Sequence, residues 1–119
     1  MPKPLNRSFL LVCLGNICRS PLAEAALRDA AARAGVAITV DSAGTGAWHV
    51  GNPPDPRSQA VARAHGIDIS GYRARQVTAA DYRRFTDILA LDGDNLAELR
   101  RRAPKDATAR IGLLMDAVP

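Results

Sequence analysis

At 119 residues the chain has room for one domain and one core, and with 47% hydrophobic but only 4% aromatic residues that core has to be aliphatic. No apolar run approaches membrane-spanning length and the first residues lack a signal-peptide core, so neither a membrane segment nor a secretory leader is expected. The net charge of +4 combines fourteen arginines and two lysines with twelve acids, scattered except for Arg100-Arg101-Arg102, and is read as solvated surface plus one anion site rather than a nucleic-acid face.

In chain order, Met1–Arg7 is a polar lead expected to fray. Phe9-Leu10-Leu11-Val12 predicts a short buried strand. After the loop that begins at Cys13, a helix is expected from about Pro21 to Ala34, with Ser20 as N-cap, Pro21 in the first turn and Gly35 as the stop. Leu22, Ala23, Ala26, Leu27 and Ala30 give it one apolar stripe. Ile38-Thr39-Val40 predicts a second strand, and the Gly- and Pro-rich segment through Asp55-Pro56 must be loop. Arg57 to His65 reads as a helix closed by Gly66, and Ile67 to Gln76 as irregular. Thr78 is the expected cap of a short helix over Ala79 to Arg84. Asp87 to Leu91 is a third strand, Asp92 to Asn95 opens a helix through Arg102, and Arg110 to Leu114 is a fourth strand. Strands alternating with helices imply βαβ units and a parallel sheet with right-handed crossovers. No repeat, low-complexity tract or linker divides residues 1–119, so one domain is expected.

Cys13-Leu14-Gly15-Asn16-Ile17-Cys18-Arg19-Ser20-Pro21 therefore lies between a strand and a helix start. That arrangement aims backbone N–H groups and the positive end of a helix dipole at one phosphate-sized spot. Cysteines in such settings ionise between roughly pH 3.5 and 7.5 rather than near 8.5. Arg19 supplies a fork of donors for two phosphoryl oxygens. A thiolate beneath the phosphorus with donors around it suits nucleophilic displacement at phosphate. A lone cysteine is more often a packed small hydrophobe, but packing explains none of Gly15, Asn16, Arg19, Ser20 and Pro21 at their fixed offsets. Gly44-x-Gly46 lacks the third glycine of a dinucleotide fingerprint and no Walker lysine is present. His49 and His65 lack partners at metal spacing and read as surface or helix-end residues.

The segment Val12 to Pro21 resembles the signature of the low-molecular-weight protein tyrosine phosphatases. The resemblance continues through Ser42-Ala43-Gly44-Thr45, Trp48, Gly51, Asp55, Arg57, Gly66-Ile67, Arg73-Ala74-Arg75-Gln76, Ile88-Leu89-Ala90 and Asp92. It implies an α/β fold: a flavodoxin-like three-layer sandwich on a four-stranded parallel sheet, with the phosphate loop after the first strand. It implies Cys13 as nucleophile and Arg19 as phosphate clamp, with Leu14, Gly15, Asn16, Ile17, Cys18 and Ser20 completing the phosphate site. The Ser20 hydroxyl would bond the Cys13 thiolate, Ser42 would bond Asn16 to hold the loop, and Trp48 would form a pocket wall. Leu14 and Ile17 would add apolar rim. Cys18 is either a packed thiol or the partner of Cys13 in a protective disulfide.

Two cysteines five apart in such a loop are not a disulfide framework, so a reducing cytoplasm is the expected compartment, and the resemblance further implies an enzyme acting on phosphotyrosine in proteins through a phosphocysteine intermediate. Inorganic phosphate would be its product or inhibitor, and no metal, organic cofactor, nucleic acid or membrane is expected. Two departures stand out. Tyr72 occupies a position where many members have histidine, so a histidine pairing with Asp92 is not expected. The family's general acid, an aspartate in an Asp-Pro dipeptide followed by tyrosines beyond the fourth strand, has no counterpart in Asp116-Ala117-Val118-Pro119, where Asp116 is expected to close that strand. The sequence thus reads as a C-terminally truncated form. An arsenate reductase would need further cysteines, a protein-arginine phosphatase would have threonine at Ile17, and a catalytically impaired phosphate-binding module would share the missing acid.

Overall fold

A computed structural model of the chain describes residues 3–117. The elements run β1 (Lys3–Cys13), α1 (Arg19–Arg33), β2 (Val36–Gly44), α2 (Pro56–Ala64), α3 (Asp81–Arg84), β3 (Asp87–Ala90), α4 (Gly93–Arg102), β4 (Arg110–Leu113) and α5 (Leu114–Ala117). All four strands are parallel, in the order β2-β1-β3-β4. The chain leaves β1 in one direction to reach β2 and passes to its other side for β3, which makes the carboxyl end of β1 a switch point. Open α/β sheets bind ligands in the crevice at such a point, and Cys13 is the last residue of β1.

Alternation along β1 builds the three layers. Leu10 and Val12 face Tyr82 and Phe85 of the α3 region and Leu99 of α4. Leu11 faces the other way, with Ala23 and Leu27 of α1 packed against its cluster. A satellite cluster of Ala25, Ala62 and Ile69 joins α1 to α2 and the segment after it. Gly35 and Gly66, each with positive φ, stop α1 and α2 where their sequence positions indicate. Among the described residues no helix is long and apolar enough to cross a membrane. This is the flavodoxin-like α/β sandwich that the sequence pattern and the resemblance lead one to expect.

Several local expectations are corrected. Lys3–Arg7 belongs to β1, with Lys3 and Pro4 paired to Val36 and Ala37 across a register shift before Ser8, while Met1 and Pro2 lie outside the described residues. β2 is longer than Ile38-Thr39-Val40 because it is an edge strand. Its first half alternates in exposure and so needs few apolar side chains. Cys18, not Ser20, holds the N-cap position of α1, without a side-chain cap bond. Ser20 lies inside the first turn, and its hydroxyl is used in the loop instead. Thr78 does not cap α3, which Ala80 precedes; the Asp81 carboxylate instead accepts from the Thr78 N–H and hydroxyl. Leu114 leaves the fourth strand for α5, so Asp116 sits in a helical turn rather than at the strand's end.

Candidate active site

β1 ends and α1 begins across five residues, and the loop between them is held from outside through its carbonyls. Thr45 N donates to Cys13 O (3.0 Å), Gly46 N to Leu14 O (2.8 Å) and Asp55 N to Ile17 O (2.7 Å). The Ser58 hydroxyl reaches Cys18 O at 3.4 Å. With its carbonyls turned outward, the loop leaves the N–H groups of Gly15, Ile17 and Cys18 without a protein acceptor among the described residues. The first amides of α1 add to these unsatisfied donors. Gly44 makes the close approach possible: a Cβ there would lie 2.8 Å from Leu14 O and 3.2 Å from Asn16 N, which are backbone atoms with no room to yield.

Asn16 fixes the shape of the loop. It is buried and has φ of 58°, a left-handed conformation that asparagine tolerates better than most residues. Its Oδ1 accepts from Arg75 N (2.9 Å), and its Nδ2 donates to both Ser20 Oγ (2.9 Å) and Ser42 Oγ (3.0 Å). Ser42 passes its own hydrogen to Glu24 Oε1 (2.6 Å). Ser20 Oγ, which accepts from Asn16 Nδ2 and keeps its single hydrogen free, lies 3.0 Å from Cys13 Sγ, and Asn16 N points at the same sulfur from 3.3 Å. The buried sulfur therefore has one backbone N–H and one hydroxyl within hydrogen-bond reach.

Arg19 reaches across the mouth to Asp92, the N-cap of α4, with Nη2 2.8 Å from Oδ2. The hydrogen bond to Asp92 raises the guanidinium further above its ordinary value. The other Asp92 oxygen accepts from the backbone and side-chain nitrogens of Asn95, and Asn95 Oδ1 accepts from Thr45 Oγ1. The Asn95 N–H and the Arg19 bond hold the Asp92 carboxyl below the usual carboxylate range. This Thr45–Asn95–Asp92–Arg19 chain spans the Gly-rich loop, α4 and α1. Sequence spacing shows Asp92 as a helix cap three residues before Asn95, but nothing in it pairs residues 19 and 92.

Beside Arg19 opens a cleft of about 430 Å³ lined by Leu14, Gly46, Trp48, Asp92, Asp94 and Glu98 among others. Trp48 is 72% exposed, with its ring directly over Gly46, where a Cβ would fall 1.9 Å from Cζ3. The structure thus brings Leu14, Arg19 and Trp48 to one mouth. Ile17 is half-buried and does not line that cleft. Cys18 is exposed, and both cysteines are free thiols. His49, read as a surface residue, is half-buried with its ring against Gly15. Tyr72 lines a different cleft from Asp92. It sits behind the loop, where Arg28 donates to its hydroxyl (3.2 Å) and pairs with Glu24 (2.7 Å).

A family model described as low molecular weight phosphotyrosine protein phosphatase matches residues 8–119. The low molecular weight protein-tyrosine-phosphatase YfkJ of Bacillus subtilis is 49% identical over 113 residues, 93% of this chain and 72% of that protein. Its crystal structure superposes with a TM-score of 0.88, covering 94% of this chain and 72% of that one. The crystal structure of Primo-1 gives a TM-score of 0.89 at 44% identity, covering 92% of this chain and 72% of that one. That of DARP, a Drosophila arginine phosphatase, gives 0.86 at 37% identity, covering 91% and 71%. On a matching model spanning nearly its whole length and on these relatives, the chain belongs to the low molecular weight phosphotyrosine protein phosphatase family.

Proposed function

We propose that the chain hydrolyses phosphotyrosine in proteins, with Cys13 as nucleophile and Arg19 as clamp. The observation that carries the reading is the Cys13 sulfur beside the Ser20 hydroxyl and under the Asn16 N–H, at the floor of a loop whose Gly15, Ile17 and Cys18 N–H groups have no protein acceptor among the described residues. The thiolate attacks phosphorus as the bond to the aryl oxygen breaks. The phenolate departs and takes up a proton, leaving phosphocysteine. Water then attacks the same phosphorus, the sulfur–phosphorus bond breaks, and phosphate leaves a regenerated thiolate. The Gly15, Ile17 and Cys18 amides and the Arg19 fork hold the equatorial oxygens throughout, in place before charge develops on them. Ser20 steadies the sulfur as attacking and as leaving group. Ser42 keeps Asn16 in its strained conformation, and Leu14 and Trp48 present apolar surface to the aryl ring. The scheme requires no metal or organic cofactor, and a thiol nucleophile suits the reducing cytoplasm.

A second reading, a protein-arginine phosphatase, is favoured by the backbone match to DARP and opposed by Ile17 where that activity is expected to need threonine. The test is chemical. Iodoacetate should alkylate Cys13 well below pH 8, phosphate should block the reaction, and Cys13→Ser should abolish turnover of phosphotyrosine peptides. Alkylation with the pH dependence of a free thiol and no phosphate protection would overturn the mechanism. Faster release of phosphate from phosphoarginine than from phosphotyrosine would select the second reading.

A further inference from the structure

Arg75 lies in the irregular stretch between α2 and α3, far in sequence from the loop, and it does not line the cleft beside Arg19. Nevertheless, it is held more firmly than most surface arginines. Its Nε and Nη2 reach Asp41 Oδ2 (3.2 and 3.1 Å), and its Nη1 and Nη2 reach Asp81 Oδ2 and Oδ1 (2.9 and 3.0 Å). Asp81 is almost fully buried, so its charge depends on this guanidinium and on Thr78. The Arg75 carbonyl accepts from Gly44 N (2.8 Å), and its N–H donates to Asn16 Oδ1. Asp41 closes the circuit by accepting from Ser42 N (2.8 Å), so both Arg75 and Ser42, two partners of Asn16, are tied to one guanidinium.

The direction of these bonds matters more than their number. A backbone N–H can only donate, so the atom facing it must be the amide oxygen of Asn16. That choice turns Nδ2 toward Ser20 and Ser42, fills one Ser20 lone pair and leaves the Ser20 hydrogen free to donate to a Cys13 thiolate. With the amide flipped, its oxygen would face Ser20 and draw that hydrogen away from Cys13. We propose that Arg75 is a positioning residue for this chemistry: clamped between Asp41 and Asp81, it fixes the N–H that selects the Asn16 orientation and so keeps the Ser20 hydroxyl donating to Cys13. The inference rests on the reading of Cys13 as nucleophile given above.

The test compares wild type with Arg75→Met, Arg75→Lys and Asp41→Asn, following alkylation of the Cys13 peptide by iodoacetate against pH with mass-spectrometric readout, alongside kcat/KM against pH. Arg19, the charged neighbour of the sulfur on α1, and Glu24, linked to it through Ser42 and Asn16, are unchanged in all three variants. Arg75→Met should move the alkylation midpoint up by about one pH unit, the tenfold that weakening one charge-assisted hydrogen bond implies. The acid limb of kcat/KM should move with it. Arg75→Lys, which keeps a cation between the two aspartates, should recover part of the shift, and Asp41→Asn should give a smaller shift of the same sign. Folded variants whose alkylation profiles superimpose on wild type overturn the inference while leaving the proposed function standing. If Arg75→Met does not fold, Arg75→Lys and Asp41→Asn decide by the same criterion. A wild-type profile like that of a free thiol would instead overturn the reading on which the inference rests.

Discussion

The side chains at the mouth differ in how firmly they are held, and the consequences differ accordingly. Asn16 makes three side-chain hydrogen bonds, with both amide N–H groups used, whereas Trp48 rests on Gly46 and is otherwise open. Trp48→Ala should therefore leave stability within about 0.5 kcal/mol of wild type. It should lower kcat/KM for a phosphotyrosine peptide by up to about tenfold, the scale of one aromatic contact. A small alkyl phosphate should lose less, and an equal loss for both would remove Trp48 from the binding wall. Protonation of the leaving group depends on carboxyls that carry a proton. Of the three carboxyls that line the cleft, Glu98, against Arg101 and Arg102, is held at about 2, and Asp92 is held low by Asn95 and Arg19, so neither of these two is an acid at neutral pH. Positioned acid catalysis is worth about 10²- to 10⁴-fold. Turnover by the 119-residue chain should accordingly rise steeply with leaving-group acidity. A flat dependence across substituted aryl phosphates would mean that a proton donor acts at the mouth.

At the scale of elements, the strands and long helices are legible in the sequence because their signals are local. The apolar run before Cys13, the glycines after α1 and α2, and Asp92 before α4 each carry their own cause. Bonds closed by the fold leave no such signal, among them Arg19 to Asp92 across 73 positions and the Arg75 N–H on Asn16. Ser20 reads as a helix cap because a serine before proline satisfies the capping pattern, while the tertiary demand of the sulfur takes its hydroxyl. Resemblance alone links position 72 to Asp92, and in the structure the two residues line different clefts. Two buried carboxylates that brace the loop should show opposite pH behaviour. Burial pushes Asp81 up, but Arg75 and the Thr78 N–H override it and hold it below its ordinary 3.8. Its contribution is present above pH 3.8 and is lost as pH falls through the lower folded value. For Glu24, burial outweighs Ser42 and Arg28 and raises it above 4.5, so its contribution is full below pH 4.5 and is lost as pH rises through the folded value. In urea unfolding, Asp81→Asn should cost about 1.5–3 kcal/mol at pH 7 and progressively less toward pH 3. Glu24→Gln should gain on wild type as pH rises from about 4 to 7. Parallel pH profiles for the two variants would contradict this account.

The whole molecule is organised so that one anion touches most of its parts. The loop joins β1 to α1, Arg19 and Asp92 join α1 to α4, and the Gly-rich segment is bonded to the loop through Thr45, Gly46 and Asp55. Phosphate bound there should stabilise the chain as a unit. A ligand at a hundred times its dissociation constant adds about 2.7 kcal/mol, which amounts to on the order of 10 °C in Tm for a domain of this size. Trp48 is the only tryptophan, so its fluorescence reports the mouth, whereas far-UV circular dichroism reports the sheet and helices. Because the mouth is bonded to every layer, the two probes should melt together with and without phosphate, and phosphate should raise both by the same amount. Cys13→Ser should retain the rise, since the amides and Arg19 remain, and Arg19→Ala should lose most of it. Fluorescence melting well before circular dichroism would show that the Gly-rich segment opens independently, and a phosphate-induced rise that survives in Arg19→Ala would remove Arg19 from the clamp.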